Sequence, residues 1–302
     1  MPDHPDTLSK YTDADTACQI LQSQTLRWSA PTLYNDPFEL NHKTPLSFDP
    51  QTLLQSVIRA ACGMIFAREE PRGTAPLTTV IRRWRDEDRF DSPEEAEEVL
   101  EELMARMVDQ RQSDIDEMMS DWRRYTRSLR ICSFSAKADN LTAWQYYADS
   151  HRGAVLKFQC GEGTSLKHPK AVQYSPARPE ISRLKEQLDV VLYNDKLRSQ
   201  DSFEDKFLSK QPAAKGEQEW RCIDNVDAEE ANKTTDETLW YSDRRFEAEH
   251  LRAVYLGAFM SVADKKRMLE FVQTLYPDTK VFQAEAVPGK YEIGFNRLTL
   301  KK

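Results

Sequence analysis

The apolar positions of this chain change period along its length. Residues 8–11 alternate like a short strand, and residues 26–29 predict a second one. Between them lies a helix with Asp13 or Asp15 as cap and Ala17, Ile20 and Leu21 on one face. Residues 30–39 read as a turn, since prolines flank the Asn35-Asp36 pair. From Asp49 to about Ser128 the period becomes helical, with Leu53, Leu54, Val57, Ile58, Ala61 and Ile65 at three- and four-residue spacing. The clearest helix begins at Ser92, where Ser-Pro-Glu-Glu supplies a cap, a proline in the first turn and a glutamate three residues on. Its expected apolar face runs through Ala96, Val99, Leu100, Leu103 and Met107, then Ile115, Met118, Met119 and Trp122. After this block, residues 129–135 and 153–158 alternate as strands around a short helix at 141–148, and residues 171–175 predict a third strand. A polar helix from about 179 to 209, an alternating strand at 217–223 and a mobile loop at 224–238 follow. A strand at 251–256, a helix from 261 to about 276, and strands at 280–286 and 290–298 complete the pattern. The sum is one α+β domain over residues 1–302, with a mixed, mostly antiparallel sheet core and a helical insertion or subdomain at 49–128.

Composition narrows the function classes. The chain has 302 residues and a net charge of -8, from 42 Lys plus Arg against 50 Asp plus Glu. That balance argues against broad nonspecific binding to nucleic acid or to anionic membranes. At 39% hydrophobic and 10% aromatic residues, there is material for a core that needs no staples. The five cysteines (18, 62, 132, 160 and 222) include no CxxC pair, so they read as reduced packing residues and not as a disulfide framework or zinc knuckle. Residues 1–6 lack a basic segment followed by an apolar one, and the best apolar stretch, 253–260, is too short to span a bilayer. A cytoplasmic protein without a membrane partner is expected.

Only nine glycines are present, and no GxxxxGK[ST] loop occurs. Gly161-Glu-Gly163 lacks the third glycine of a dinucleotide fingerprint. No HExxH or GxSxG motif appears, and the five histidines are scattered, so no metal site is expected. Chemistry would fall to carboxylates and aromatics. Glu217, Glu219 and Arg221, two apart in an expected strand, would share one face, with Gln218, Trp220 and Cys222 on the other. Paired carboxylates on a rigid strand suit an oxocarbenium-like transition state; an exposed edge strand would show the same alternation. The segment from Trp144 to Gly153 gathers Trp144, Tyr146, Tyr147, His151 and Arg152, parts that stack a ring and hold a phosphate, or that build core. Asn35 and Asp36 could present polar groups to a ligand or simply make an Asx turn. Arg123, Arg124, Arg127 and Arg130, with Lys265, Lys266 and Arg267, form basic runs that suit phosphates or helix C-termini.

Taken in order, these segments resemble a bacterial family, domain of unknown function 2971. The resemblance rests on Ser9-Lys-Tyr11, Leu26-Arg-Trp-Ser-Ala-Pro31, Asn35-Asp-Pro-Phe-Glu39, Cys132-Ser-Phe-Ser135 and Asn140-Leu141. It continues through Trp144, Tyr147-Ala-Asp149, His151-Arg-Gly153, Phe158, Lys210, Glu217-Gln-Glu-Trp-Arg221 and Val254-Tyr-Leu-Gly257. It covers nearly the whole chain outside residues 49–127. One departure is Pro212-Ala-Ala-Lys215, where members carry a Trp. The family is in turn similar to the ADP-ribosyltransferase-like superfamily, which implies a small split sheet clasping NAD without a Gly-rich loop. That resemblance implies Lys10 and Tyr11 on the first strand, Tyr147 or Trp144 near the nicotinamide, Glu219 or Glu217 as catalytic acid, and Arg221 or Arg152 on the pyrophosphate. It further implies a toxin or antiphage effector with an antitoxin or defence partner, consuming NAD for an acceptor that the sequence leaves open: protein, nucleic acid, small molecule or water. Two alternatives stand beside it: a noncatalytic module sensing a nucleotide or phage component, and a nuclease placing Mg²⁺ among Asp36, Glu39 and the Glu pair.

Overall fold

A computed structural model describes residues 4–194 and 202–299. The chain packs as two compact units, Met1–Glu39 with Arg127–Arg178 and Phe207–Lys302, and Leu40–Thr126 with Pro179–Lys206.

Among the described residues, all strands belong to the first unit. β1 (Thr7–Thr12) pairs antiparallel with β4 (Ala154–Gln159) along its whole length. Beyond β4 come antiparallel β10 (Leu251–Leu256), parallel β11 (Lys280–Ala286) and antiparallel β12 (Ile293–Leu298). On its other side β1 meets β3 (Leu129–Ser135) at one register pair, Ser9 opposite Ser135, after which the two strands part. β3 instead runs antiparallel with β8 (Glu219–Asn225) over seven pairs, from Leu129–Asn225 to Ser135–Glu219. β2 (Thr25–Ser29) joins β3 at Ser29–Ile131 and carries the edge strand β9 (Tyr241–Arg245). The short β5 (Lys170–Ala171) adds to β8, while β6 (Gln173–Tyr174) and β7 (Ser209–Lys210) form a separate parallel pair. The protein is α+β with a mixed, mostly antiparallel sheet, as expected; the topology does not show an ADP-ribosyltransferase-like fold.

Alternation along the central strands sorts the side chains onto two faces. Leu156 and Phe158 of β4 enter a core with Leu8, Trp28, Phe134 and Phe246, whereas Val155 points to the opposite face with Tyr11, Trp144 and Tyr255. Burying such a side chain contributes about 1.5–3 kcal/mol. The first face is covered by α1 (Ala14–Ser23) and α8 (Val262–Leu275): Leu21, Met268 and Val272 share its core, and Tyr276 Oη donates to Leu21 O at 2.7 Å. Asp13 caps α1 by accepting from Thr16 N at 2.8 Å. On the second face lies α5 (Leu141–Tyr147), capped by Asn140 accepting from Ala143 N. All five cysteines are free and buried.

The second unit contains α2 (Pro50–Phe66), α3 (Pro76–Asp86), most of α4 (Pro93–Ser128) and α6 (Leu184–Tyr193). Ser92 Oγ accepts from Glu95 N at 3.3 Å at the start of α4, as the motif predicts. The buried stripe is Ala96, Leu100, Met104 and Val108, while Leu103 is 42% exposed. Of the expected face, Ala96, Leu100, Ile115, Met118, Met119 and Trp122 are buried as predicted, and in the first half of the helix Met104 and Val108 are buried in place of Leu103 and Met107.

Several other expectations are corrected. α6 spans ten residues and ends at Asn194, which adopts the left-handed conformation (φ 58°); of the expected helix to 209, residues 195–201 lie outside the described residues. Residues 171–175 give only the fragments β5 and β6. The strand expected from Glu217 starts at Glu219, because Pro212–Glu217 form a 3-10 turn closed by Gln218 at φ 49°. Residues 224–238, expected as a loop, contain α7 (Ala228–Asn232), capped by Asp227. β9 was not expected, and β12 begins at 293 rather than 290. Among the described residues no helix is long and apolar enough to cross a membrane.

Candidate functional site

Where β1 and β3 part, a cavity of about 570 Å³ opens within the first unit. Small-molecule pockets commonly fall in this size range. β1 contributes Ser9, Lys10 and Tyr11, β3 contributes Ser133 to Ser135, and the turn after β2 contributes Tyr34 to Glu39. Tyr147 of α5, Lys210 of β7, Glu217, and Glu219 and Arg221 of β8 complete the charged side.

A chain of buried charges forms that side. The Arg221 guanidinium is fully buried and grips Glu39 with two parallel bonds, Nη1 to Oε1 at 2.6 Å and Nη2 to Oε2 at 3.0 Å. Its Nη1 also donates to Phe207 O at 2.6 Å, and its Nε to Glu219 Oε1 at 2.8 Å. Lys210 Nζ stands 2.8 Å from both Glu219 Oε2 and Glu217 Oε2. The contact to Glu217 is an aligned hydrogen bond. The one to Glu219 is an ion-pair contact without that alignment, so Glu219 Oε2 is a buried oxygen with no aligned donor. Tyr147 Oη closes the chain by donating to Glu217 Oε1 at 3.0 Å. Three carboxylates thus face two cations. Burial alone would raise the Glu219 carboxyl, but Arg221 and Lys210 outweigh it and hold the group at about 2, ionised at neutral pH. Burial acts to lower the Lys210 ammonium, yet its carboxylate neighbours drive it upward instead.

Eight of the eleven residues expected at a site line this cavity: Lys10, Tyr11, Asn35, Asp36, Tyr147, Glu217, Glu219 and Arg221. Lys10 Nζ donates to Ser133 O at 3.0 Å. The Tyr11 hydroxyl is engaged twice, donating to Lys137 O and accepting from Asn140 N. Asp36 makes its Asx turn, accepting from Phe38 N at 2.8 Å, and still borders the cavity. Glu217 does not share the strand face of Glu219 and Arg221, since it lies outside β8; Lys210 joins it to them instead. Arg221 cannot take a pyrophosphate, because Glu39, Glu219 and Phe207 O already engage all three of its nitrogens.

The other three lie elsewhere. Trp144 is fully buried, its Nε1 donating to Ala138 O at 2.8 Å and its ring edge-on to Tyr11. His151 stacks on Trp144 at 6.0 Å, and burial lowers its pKa. Arg152 is exposed and outside the lining. Asp149, Ser150 and His151 have φ of 44°, 49° and 68°, and Gly153 sits so close to β1 that a Cβ there would meet Thr12 O at 2.1 Å. This segment is a tight backbone crossing.

The cavity adds Lys210 and Tyr34 to the charged side, together with Glu39, which the sequence offered only as part of a Mg²⁺ site. Glu39 ends a turn motif and Lys210 was a single matched position, so only the fold reveals them as partners of Arg221 and Glu219. Among the described residues no group of three or more His, Cys, Asp or Glu is placed to hold a metal ion. Part of the basic runs is engaged within the protein: Arg127 donates to Ala231 O and Thr234 O, Arg130 to Arg127 O, and Arg267 pairs with Asp15 and Asp264, while Arg123, Arg124 and Lys266 are exposed.

A scan against protein-family models found no match, and searches of the curated proteins and of the solved structures found no significant match either. The resemblance to the uncharacterised bacterial family therefore stands on its motifs alone.

Proposed function

We propose that the cavity is an NAD-consuming centre, transferring ADP-ribose to an acceptor or to water in the manner of ADP-ribosyltransferases. The observation that carries this reading is Glu219: a buried carboxylate, held ionised, with one oxygen lacking an aligned donor at a cavity of ligand size. Lys10 supplies a cation for phosphate and Tyr147 a ring at the mouth, which suits a nucleotide bound without a Gly-rich loop.

In this reading Glu219 accepts the hydrogen bond of the nicotinamide-ribose hydroxyl. It opposes the positive charge that develops at C1′ as the C1′–N bond breaks and nicotinamide leaves with the bonding pair. The unbalanced third carboxylate of the chain favours that cation. Glu217, at the open end, takes the proton of the hydroxyl, amine or water that adds to C1′ and passes it to solvent. Action as a toxin or antiphage effector is an expectation from the family resemblance and adds nothing to the chemistry.

The test is nicotinamide release from labelled NAD, with cell lysate supplying acceptors, compared between wild type, Glu219→Gln and Glu217→Gln. Wild type is expected to release nicotinamide, and folded Glu219→Gln to lose at least about 10²-fold in rate. Glu217, with its side chain 17% exposed, is the variant less exposed to a folding defect. Wild type that binds NAD in a calorimeter but releases nothing, with Glu219→Gln binding equally, would make the protein a noncatalytic sensor. A folded Glu219→Gln that works like wild type would sink the assignment.

A further inference from the structure

We propose that Lys210 is a positioning residue of this site, bridging Glu217 and Glu219 so that both stand side by side as anions, one for the sugar hydroxyl and one for the acceptor's proton. The inference rests on the NAD reading. Two carboxylates that share a site repel each other and ordinarily end by holding one proton between them. A pair that serves as hydrogen-bond acceptor and base needs both members deprotonated.

Lys210 Nζ lies 2.8 Å from one oxygen of each carboxylate. The other groups facing the pair touch one member or neither. Arg221 on β8 bonds only Glu219 and spends its remaining nitrogens on Glu39 and Phe207 O. Tyr147 on α5 donates only to Glu217. Tyr174 on β6 accepts from the Glu219 backbone N at 2.8 Å, and Tyr34 lies under the Arg221 guanidinium at 5.6 Å. Because Glu217 sits outside β8, no strand register holds it beside Glu219. Ser135 Oγ and Asn140 Nδ2 fix its backbone, each donating to Glu217 O at 2.9 Å, and the ammonium ties its carboxylate to that of Glu219. Lys210 is anchored on β7, where it pairs with Tyr174, and its side chain is 13% exposed. A flexible side chain becomes a fixed bridge there, and its carboxylate neighbours keep it charged.

The experiment uses the full chain with Lys210→Met and Lys210→Arg, and reads two quantities. Without substrate, ¹³C NMR of the glutamate carboxyls follows the Glu219 titration, its signal identified by loss in Glu219→Gln. Lys210→Met is expected to move that titration upward by about one pH unit or more, and Lys210→Arg to return most of the way. With NAD, the acid limb of the nicotinamide-release profile moves in the same direction. In Lys210→Met kcat falls about 10²-fold while KM stays within about threefold, since the lost interaction is made in the transition state. Should Lys210→Met fail to fold by circular dichroism, Lys210→Gln takes its place. A folded variant whose Glu219 titration is unchanged overturns the proposal, as does one that loses kcat with no movement of the acid limb. If no protein releases nicotinamide, the NAD reading fails, and the titration alone still decides whether Lys210 sets the charge of the pair.

Discussion

Two stretches of this chain carry a similar density of chemically capable side chains, and the fold uses them in opposite ways. Around Glu219 and Arg221 the side chains are the product: β8 holds them rigidly, and Glu39, Lys210 and Glu217 gather on them at the cavity. From Trp144 to Gly153 the backbone is the product. Trp144 is core, His151 packs on it, and the carbonyls of His151 and Gly153 accept from Phe259 N and Gly257 N at 2.9 Å. Polar residues on a strand face must find partners across the sheet. The same residues at the end of a short helix can be selected for the turn they allow, since Asn, Asp, Ser and His tolerate left-handed backbone better than branched residues do. A motif that looks specific therefore says that a position is constrained, without saying whether the constraint is chemistry or geometry.

The largest expected effect sharpens the charged half of this contrast. Arg221→Met leaves Glu39 and Glu219 buried without their shared cation, and should cost about 3–5 kcal/mol of stability in urea unfolding at neutral pH. A loss below about 1 kcal/mol would mean that water reaches these carboxylates. Next in size is the geometric half. Gly153→Ala places a Cβ 2.1 Å from Thr12 O and 3.0 Å from the Ala148 carbonyl carbon, all backbone that cannot swing away. About 1–3 kcal/mol or more should be lost, read as a lowered thermal midpoint. Gly163→Ala is not an equal control for space, because its φ is 80°; Gly63→Ala, with nothing within 4 Å, is, and should be neutral or stabilising.

Acid titration separates the two regions by pH window. Glu219 is held at about 2 when folded, below its ordinary value near 4.5. Its contribution is fully present above that ordinary value and is lost as the pH falls from about 4.5 toward 2. Stability measured against pH should drop over that window by on the order of 2–3 kcal/mol, and the drop should flatten in Glu219→Gln. An unchanged slope in the variant would assign acid sensitivity to other carboxylates.

Much of the fold was legible because burial on one face leaves a period in the sequence. Residues 129–135 and 251–256 became β3 and β10 with the expected bounds, and Asp13 and Ser92 act as the caps their spacing predicts. β9 was illegible because Tyr241–Arg245 is a polar edge strand, held through register with β2 and the Arg27–Asp243 pair. The stripe of α4 was ambiguous from one helix alone. At the site, the two-residue spacing of Glu219 and Arg221 pointed to a shared face. Glu39, 182 residues from Arg221 in the chain, could not be assigned as its partner from spacing. Glu217 was misplaced for a local reason, the left-handed Gln218 that ends strand alternation one residue before β8.

The smallest expected effect is the most direct way to break the comparison. His151 would be a functional residue by its type, yet it lies outside the cavity lining, and its contacts are a stack on Trp144 and an edge contact with Phe259. Asparagine accepts the left-handed backbone at this position with little strain, so His151→Asn removes the ring and keeps the crossing. The loss should stay near 1 kcal/mol, the scale of one aromatic stack. Because burial lowers the folded pKa of His151, protons bind the unfolded chain more readily as the pH falls through about 6.5. Wild type should therefore lose a little stability just below that pH, and His151→Asn should not. Nicotinamide release, if the cavity is the site, should stay within about twofold of wild type, since no group within reach of Glu219 has changed. A large loss of turnover with normal stability would show that the segment from Trp144 to Gly153 contributes chemistry after all, and the division between side-chain and backbone roles would have to be redrawn.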